Sequence, residues 1–272
     1  PAVMSRLSMG GGMPGVWVFT QCYWRSQVLG FRLFRRLWTE QLASLFSARI
    51  SETTFLQIRT CWLDDVVTRF VAELEGRPGQ LVILGAGYDT RCHRMGLPAN
   101  VGRYEVDAAA TQARKRAVLE EIGGADPETR FVACDFSRES WRERLVEAGF
   151  DPSLRTCIVW EGVTMYVEEA VARQTLAEVK ALPPGSLIGF DVVDADWALS
   201  PKMRKMMKRS GEPWLFGLKG GEERAWVETQ GLAVLDELRY EELLDRYMPE
   251  DSGGRTLGAC GEFGCFMLAG VR

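Results

Sequence analysis

Leu81-Val82-Ile83-Leu84-Gly85-Ala86-Gly87-Tyr88-Asp89-Thr90-Arg91 is the stretch that decides the fold. Four apolar residues run straight into a Gly-Ala-Gly turn. An apolar run this short, closed by turn residues, reads as a strand buried on both faces. Gly85 and Gly87 carry no Cβ, so the chain can turn sharply and bring its backbone N–H groups close to a ligand, with Ala86 between them. About twenty residues on, a second strand, Tyr104-Glu105-Val106-Asp107, ends in acid, the place from which a carboxylate accepts both hydroxyls of a ribose. Glu105 shares the face of Asp107 by alternation, but Asp107 lies nearer the strand end and is preferred. A parallel α/β sheet that holds an adenosine-containing cofactor has this order. The turn lacks the third glycine of a dinucleotide fingerprint, and no Gly-Lys-Ser/Thr follows to cradle a triphosphate. S-adenosylmethionine, an adenosine cofactor without phosphate, therefore fits better than NAD or ATP.

Downstream, apolar strands alternate with helical stretches. Strands are expected at Leu81–Leu84, Arg103–Val106, Arg130–Cys134, Thr156–Trp160, Ser186–Val192, Ala233–Arg239 and Cys265–Val271. Helices are expected near Ala109–Ile122, Ser140–Ala148, Glu168–Ala181 and Glu222–Gln230. Such alternation argues for a parallel sheet with helices on both faces. Only the polar, Gly-rich Glu241–Phe263 separates the last two strands, which suits an antiparallel hairpin at the sheet edge. Seven strands with an antiparallel end make the Rossmann-like, doubly wound fold of class I methyltransferases. Residues 194–221 interrupt the alternation and read as a helical insert after the fifth strand, above the carboxyl ends where open α/β sheets bind ligands. Residues 16–75 show no strand pattern and read as helices, ended by Gly76-Arg77-Pro78-Gly79. The expected division is a helical N-terminal cover over residues 1–78 and a methyltransferase domain over 79–272, with the insert as its lid.

The 272 residues carry 33 basic and 37 acidic side chains, a net charge of −4 that gives no reason to expect nucleic acid as a partner. Seven cysteines are scattered without Cys-x-x-Cys spacing, several within apolar runs, as reduced core thiols are. This predicts a reducing, cytoplasmic setting. No apolar run reaches the eighteen or so residues that span a bilayer, and Pro1–Gly15 has no long apolar core of a secretory signal. One histidine, His93, leaves no basis for a His-based metal site or a Ser-His-Asp triad, and no metal is expected.

Two further strands end in acid. Asp135 closes Phe-Val-Ala-Cys-Asp-Phe and Glu161 closes Cys-Ile-Val-Trp-Glu-Gly. A loop acid after one strand is commonplace; three in succession behind a Gly-x-Gly turn point to one crevice. Asp107 would take the ribose diol. Asp135 would take the adenine amine, with Phe136 against the ring face. Glu161 would receive the ammonium of the methionine half.

Leu-Gly-Ala-Gly-Tyr-Asp-Thr-Arg (84–91), Tyr-Glu-Val-Asp (104–107), Ala-Cys-Asp-Phe (133–136) and Trp-Glu-Gly-Val-Thr-Met-Tyr-Val (160–167) resemble, in order and spacing, the leucine carboxyl methyltransferase family. The likeness covers residues 55–190 well and the remainder loosely. It implies S-adenosylmethionine as cofactor and a role for Arg59 in Gln57-Ile-Arg-Thr, whose family counterpart binds the cofactor carboxylate. A guanidinium suits that task because it forks onto both oxygens. The eukaryotic members also place an N-terminal lysine on the cofactor. No lysine precedes Lys115 here, so that contact is absent or falls to an arginine such as Arg25 or Arg49.

Asp89 and Thr90 are read as caps of the helix after the turn, and Arg91 as the partner of a nearby acid. Tyr166 either lines the acceptor pocket, as the candidate catalytic residue, or is a core tyrosine. His93 reads as a surface or supporting residue. Trp17–Phe46, aromatic and arginine-rich, would by composition suit an acidic membrane surface, but the resemblance implies a cover over the cofactor there, and Lys202–Arg209 suits an insert helix with a packed Met203, Met206, Met207 face. Methyl transfer to a carboxylate, already ionised at neutral pH, needs no base, whereas an alcohol or phenol wants one. The expected acceptor is a carboxylate, or a hydroxyl, on a small molecule or a protein C-terminus. The competing classes are an NAD(P)-binding oxidoreductase and a cofactor-binding regulator without turnover.

Overall fold

The computed structural model describes residues 47–210, 213–247 and 264–272. The chain divides into two compact units, Pro1–Trp62 with Tyr240–Glu262, and Leu63–Arg239 with Phe263–Arg272. In the first, helix α1 (Ser47–Glu73) contributes its first sixteen positions and α9 (Tyr240–Tyr247) follows the sixth strand. The expected cover segment Trp17–Phe46 lies outside the described residues, as does Arg25.

The second unit holds the sheet. Strands β1 (Gly79–Leu84), β2 (Val101–Asp107), β3 (Thr129–Ala133), β4 (Thr156–Trp160), β5 (Leu187–Val193), β6 (Ala233–Arg239) and β7 (Gly264–Gly270) line up in the order 3-2-1-4-5-7-6. Every expected strand is present, its ends displaced by two residues at most. The pairs β1–β2, β2–β3, β1–β4 and β4–β5 are parallel, while β7 runs antiparallel to both β5 and β6. Helices α3 (Ala109–Ile122), α4 (Trp141–Glu147), α5 (Glu169–Lys180) and α8 (Glu223–Glu228) connect successive strands, as the alternation predicts. The insert forms α6 (Ala195–Ala198) and α7 (Pro201–Ser210), and its return is tied to β5 by a bridge between Asp194 and Leu218.

Burial follows from where each strand sits. The central strands β1 and β4 and the inserted β7 are buried along their whole length, because neighbours flank them and helices cover both faces. Edge strand β6 is only partly buried, carries Asp236 and Glu237, and breaks register at a bulge between Val234 and Asp236, which blunts an edge that would otherwise pair with another chain. The core brings Leu84, Val106, Val132, Ile158, Trp160, Phe190 and Met267 together, with the Trp160 and Phe190 rings 6.1 Å apart.

Two local expectations need correction. The polar stretch after β6 has no helix among those expected, yet Tyr240–Tyr247 is helical: Tyr240 and Leu243 are buried and the acids face outward. In α7, Met203 is buried and Met207 half-buried, but Met206 is 47% exposed, so the packed face comprises only the pair at i and i+4.

Gly264 opens β7 at φ +132°, where a Cβ would stand 1.9 Å from the Val192 carbonyl oxygen. Backbone cannot yield there as a flexible side chain would. Gly264→Ala is expected to lower unfolding stability by roughly 2 kcal/mol or more. Chemical denaturation checks this; a change within about 0.5 kcal/mol, the usual range for an innocuous surface site, would contradict it.

Candidate functional site

Strand order reverses between β1 and β4, because β2 and β3 lie to one side of β1 and β4 and β5 to the other. At such a reversal the connections leave in opposite directions and open a crevice at the carboxyl ends. The glycine turn leaves β1 at that point. Its Gly85 adopts φ +64°, and a Cβ there would lie 2.4 Å from Cγ2 of Val163, which follows β4. The turn and the β4 loop can therefore approach this closely only with glycine at position 85.

Register places the acids. Leu84 pairs with Val106 and Asp107 with Ala133, so Asp107 sits level with Gly85 and beside the end of β3. Its Oδ2 accepts from the Gly87 N–H at 2.5 Å and its Oδ1 from the Ala108 N–H at 2.6 Å. Burial pushes the Asp107 pKa above its ordinary value, against the pull of those two N–H groups. Asp135 comes two residues after β3 and is half exposed; its Oδ1 accepts from the Ser137 Oγ at 2.6 Å and the Ser137 N–H at 3.0 Å. Those bonds hold its carboxyl below the usual range, so it stays ionised. Phe136 beside it is half-buried against the core.

Glu161 is the first residue after β4, and its Oε2 lies 2.6 Å from Nη1 of Arg91. Arg91 opens the short helix α2 (Arg91–Arg94), and its side chain is 0% exposed. The guanidinium also donates from Nε to Asp64 Oδ1 at 2.8 Å and from Nη1 to Asp89 Oδ2. Asp64 takes a second cation, Arg94 Nη2, at 2.7 Å. Asp89 Oδ1 accepts the Arg91 N–H at 2.7 Å, so Asp89 does cap the turn; Thr90, at the cap position, makes no side-chain cap bond. The Asp89 carbonyl accepts from Lys115 Nζ, and Lys115 pairs with Glu105 Oε2 at 2.6 Å. Glu105 completes the set, its Oε1 lying 3.1 Å from His93 Nε2.

His93 is thus not a surface residue. Its side chain is 4% exposed, its Nδ1 accepts from the Asp126 N–H at 3.0 Å, and its ring stacks on Phe131. Glu105 is fully buried and pairs with Lys115. Tyr166 lies in a 3-10 turn (Thr164–Tyr166) and is 38% exposed, outside the core. Arg59 is buried on α1, within the other unit. Three participants escaped the sequence reading. Asp64 and Lys115 sit on helices where a solvated charge reads the same. Asp191 was legible, as an acid inside the apolar Gly-Phe-Asp-Val-Val; it is 3% exposed and its Oδ1 accepts the Gly162 N–H at 2.6 Å, fixing the loop that carries Glu161. Among the described residues no cluster suited to a metal ion occurs and no helix is long and apolar enough to cross a membrane.

The profile of the leucine carboxyl methyltransferase family matches residues 29–180, more than half of the chain. A Frankia alni protein provisionally named an S-adenosyl-L-methionine-dependent methyltransferase is 34% identical over 179 residues, covering 65% of this chain and 62% of its own length. A Mycolicibacterium gilvum protein of the same provisional name is 35% identical over 181 residues, covering 64% and 60%. The chain thus spans about three fifths of the length of these relatives. Among solved structures, a provisionally named methyltransferase from Thermobifida fusca aligns with TM-score 0.57 at 17% identity, over 83% of each chain. A DUF574 family protein from Streptomyces avermitilis aligns with TM-score 0.58 at 14% identity, over 82% of this chain and 86% of its own.

Burial opposes ionisation of Asp89, but Arg91, Lys115 and Arg94 overcome it and hold its pKa below the ordinary 3.8. A carboxyl with a depressed folded pKa stabilises the fold fully above its unfolded value and loses that contribution as pH falls towards the folded one. Unfolding free energy is therefore expected to drop on acidification below about pH 4, and Asp89→Asn to flatten that acid limb. A series of denaturation curves against pH checks this. An unchanged acid limb in Asp89→Asn would contradict it.

Proposed function

Because the chain belongs to the leucine carboxyl methyltransferase family, we propose that it transfers a methyl group from S-adenosylmethionine to the carboxylate oxygen of an acceptor. One observation carries the reading: Asp107, Asp135 and Glu161 stand at the carboxyl ends of three parallel strands, around the glycine turn at the reversal of strand order.

The donor set suits this cofactor. Asp107, held by two N–H groups, presents a carboxylate to a ribose diol beside Gly87. Asp135, kept ionised by Ser137, suits the adenine amine, with Phe136 against the ring. Glu161 suits an ammonium, and Arg59 the adjoining carboxylate, as the family pattern implies. A triphosphate or pyrophosphate would instead meet three acids. S-adenosylmethionine bound there supplies a methyl group on a positively charged sulfur. Holding an acceptor oxygen in line with that bond is worth roughly 7–11 kcal/mol of barrier, and binding at both ends of the cofactor serves this purpose.

Burial of the single histidine supports a carboxylate acceptor. His93, with one ring nitrogen towards Glu105 and the other towards the Asp126 N–H, is placed for structure rather than for removing a proton from an alcohol. A carboxylate needs no such base. The insert 194–221 is assigned to enclosing the acceptor, which is a small molecule or a protein C-terminus. Tyr166, exposed after β4, is assigned to the acceptor side.

Titration calorimetry with S-adenosylhomocysteine is expected to give one-to-one binding, with no heat from NADPH. Asp107→Ala is expected to weaken that binding roughly ten- to a hundred-fold, as loss of hydrogen bonds to a charged group does. Binding of NADPH alone, or of neither, would sink the reading.

A further inference from the structure

Resting on the reading of Glu161 as the ammonium acceptor, we propose that Arg91 is a positioning residue for the cofactor's methionine end: it locks Glu161 in place before the cofactor arrives. The fully buried guanidinium uses Nη1 for two bonds at once, to Glu161 Oε2 at 2.6 Å and to Asp89 Oδ2, while Nε holds Asp64 Oδ1 at 2.8 Å. Nη1 carries two hydrogens, so both bonds are made without sharing one. A planar, rigid fork thereby fixes three carboxylates relative to one another.

The connection crosses the reversal of strand order. Glu161 follows β4, whereas Asp89 belongs to the turn after β1, and Asp89 is itself pinned through the Arg91 N–H and the Lys115 contact to its carbonyl. Arg91 thus ties the loop after β4 to Asp89, which lies beyond the Gly85–Gly87 turn. A strand-end glutamate has three side-chain torsions, and immobilising them beforehand removes an ordering penalty from cofactor binding. A lone guanidinium next to Glu161 would weaken that carboxylate's attraction for an ammonium. Asp89 and Asp64, bonded to the same guanidinium, offset its charge.

Lysine is a poor substitute, because a compact ammonium on a flexible stem cannot keep the fork geometry to all three acids. The test uses the full chain and two ligands with the same adenosine: S-adenosylhomocysteine, and 5′-methylthioadenosine, which has no ammonium or carboxylate. Arg91→Lys is expected to weaken S-adenosylhomocysteine roughly ten- to a hundred-fold and leave 5′-methylthioadenosine unchanged. Glu161→Gln is expected to do the same, and Arg91→Lys added to it to cause no further loss. Equal weakening of both ligands would mean that Arg91 serves the fold alone, and undiminished loss in the Glu161→Gln background would mean that it does not act through Glu161; either overturns the proposal. Should Arg91→Lys fail to fold, Asp64→Asn, which releases the fork at one point only, must still weaken S-adenosylhomocysteine selectively, and no selectivity there overturns it too. Wild-type protein that binds S-adenosylhomocysteine no tighter than 5′-methylthioadenosine would refute the parent reading of Glu161 itself.

Discussion

A guanidinium with no exposed surface is sustainable only where its charge is met, and Arg91 meets three carboxylates within hydrogen-bond reach. Removing one partner from such a buried set leaves an uncompensated charge, at a cost of roughly 3–5 kcal/mol. The arrangement therefore constrains what surrounds it. It ties Asp64 on α1, Asp89 after the glycine turn and Glu161 after β4 to one guanidinium. Lys115 and Glu105 extend the same network behind the turn, and His93 closes it. The polar interior beneath the crevice is thus as determined as the apolar core on either side of the sheet.

Upon this base the crevice divides its labour. The β1 turn supplies close backbone approach, which Gly85 alone permits against Val163. The ends of β2 and β3 supply acids held by backbone N–H groups and Ser137, and the end of β4 supplies one held by a guanidinium. Asp191 secures the β4 loop from the neighbouring strand. All three acids are thus anchored by donors of the chain itself.

Much of this was legible in the chain itself. Leu81–Leu84 and Thr156–Trp160 are short apolar runs closed by turn residues, which leaves little but a buried parallel strand. Asp107 could be preferred over Glu105 from its place at the strand end, and in β2 it is Glu105 that lies buried on Lys115. The fork of Arg91 was only half legible: a nearby acid was expected, but Glu161 is seventy positions away and Asp64 lies on a helix of the preceding segment. Pattern reasoning reads neighbours along a strand or helix and has no measure of such distances. That His93 is a buried supporting residue rather than a surface one could not be decided for the same reason, since its burial depends on Glu105 and Phe131 in two strands. The helix Tyr240–Tyr247 was overlooked because Glu241, Glu242, Asp245 and Arg246 mask the helical spacing of Tyr240, Leu243 and Tyr247.

The central claim is that three strand-end acids receive one S-adenosyl ligand, and a crystal structure with S-adenosylhomocysteine tests it most directly. The account predicts ribose hydroxyls on Asp107, the adenine amine on Asp135 and the ammonium on Glu161, with Arg91 unmoved beneath. A ligand seated elsewhere, or seated here with those carboxylates turned away, would contradict it.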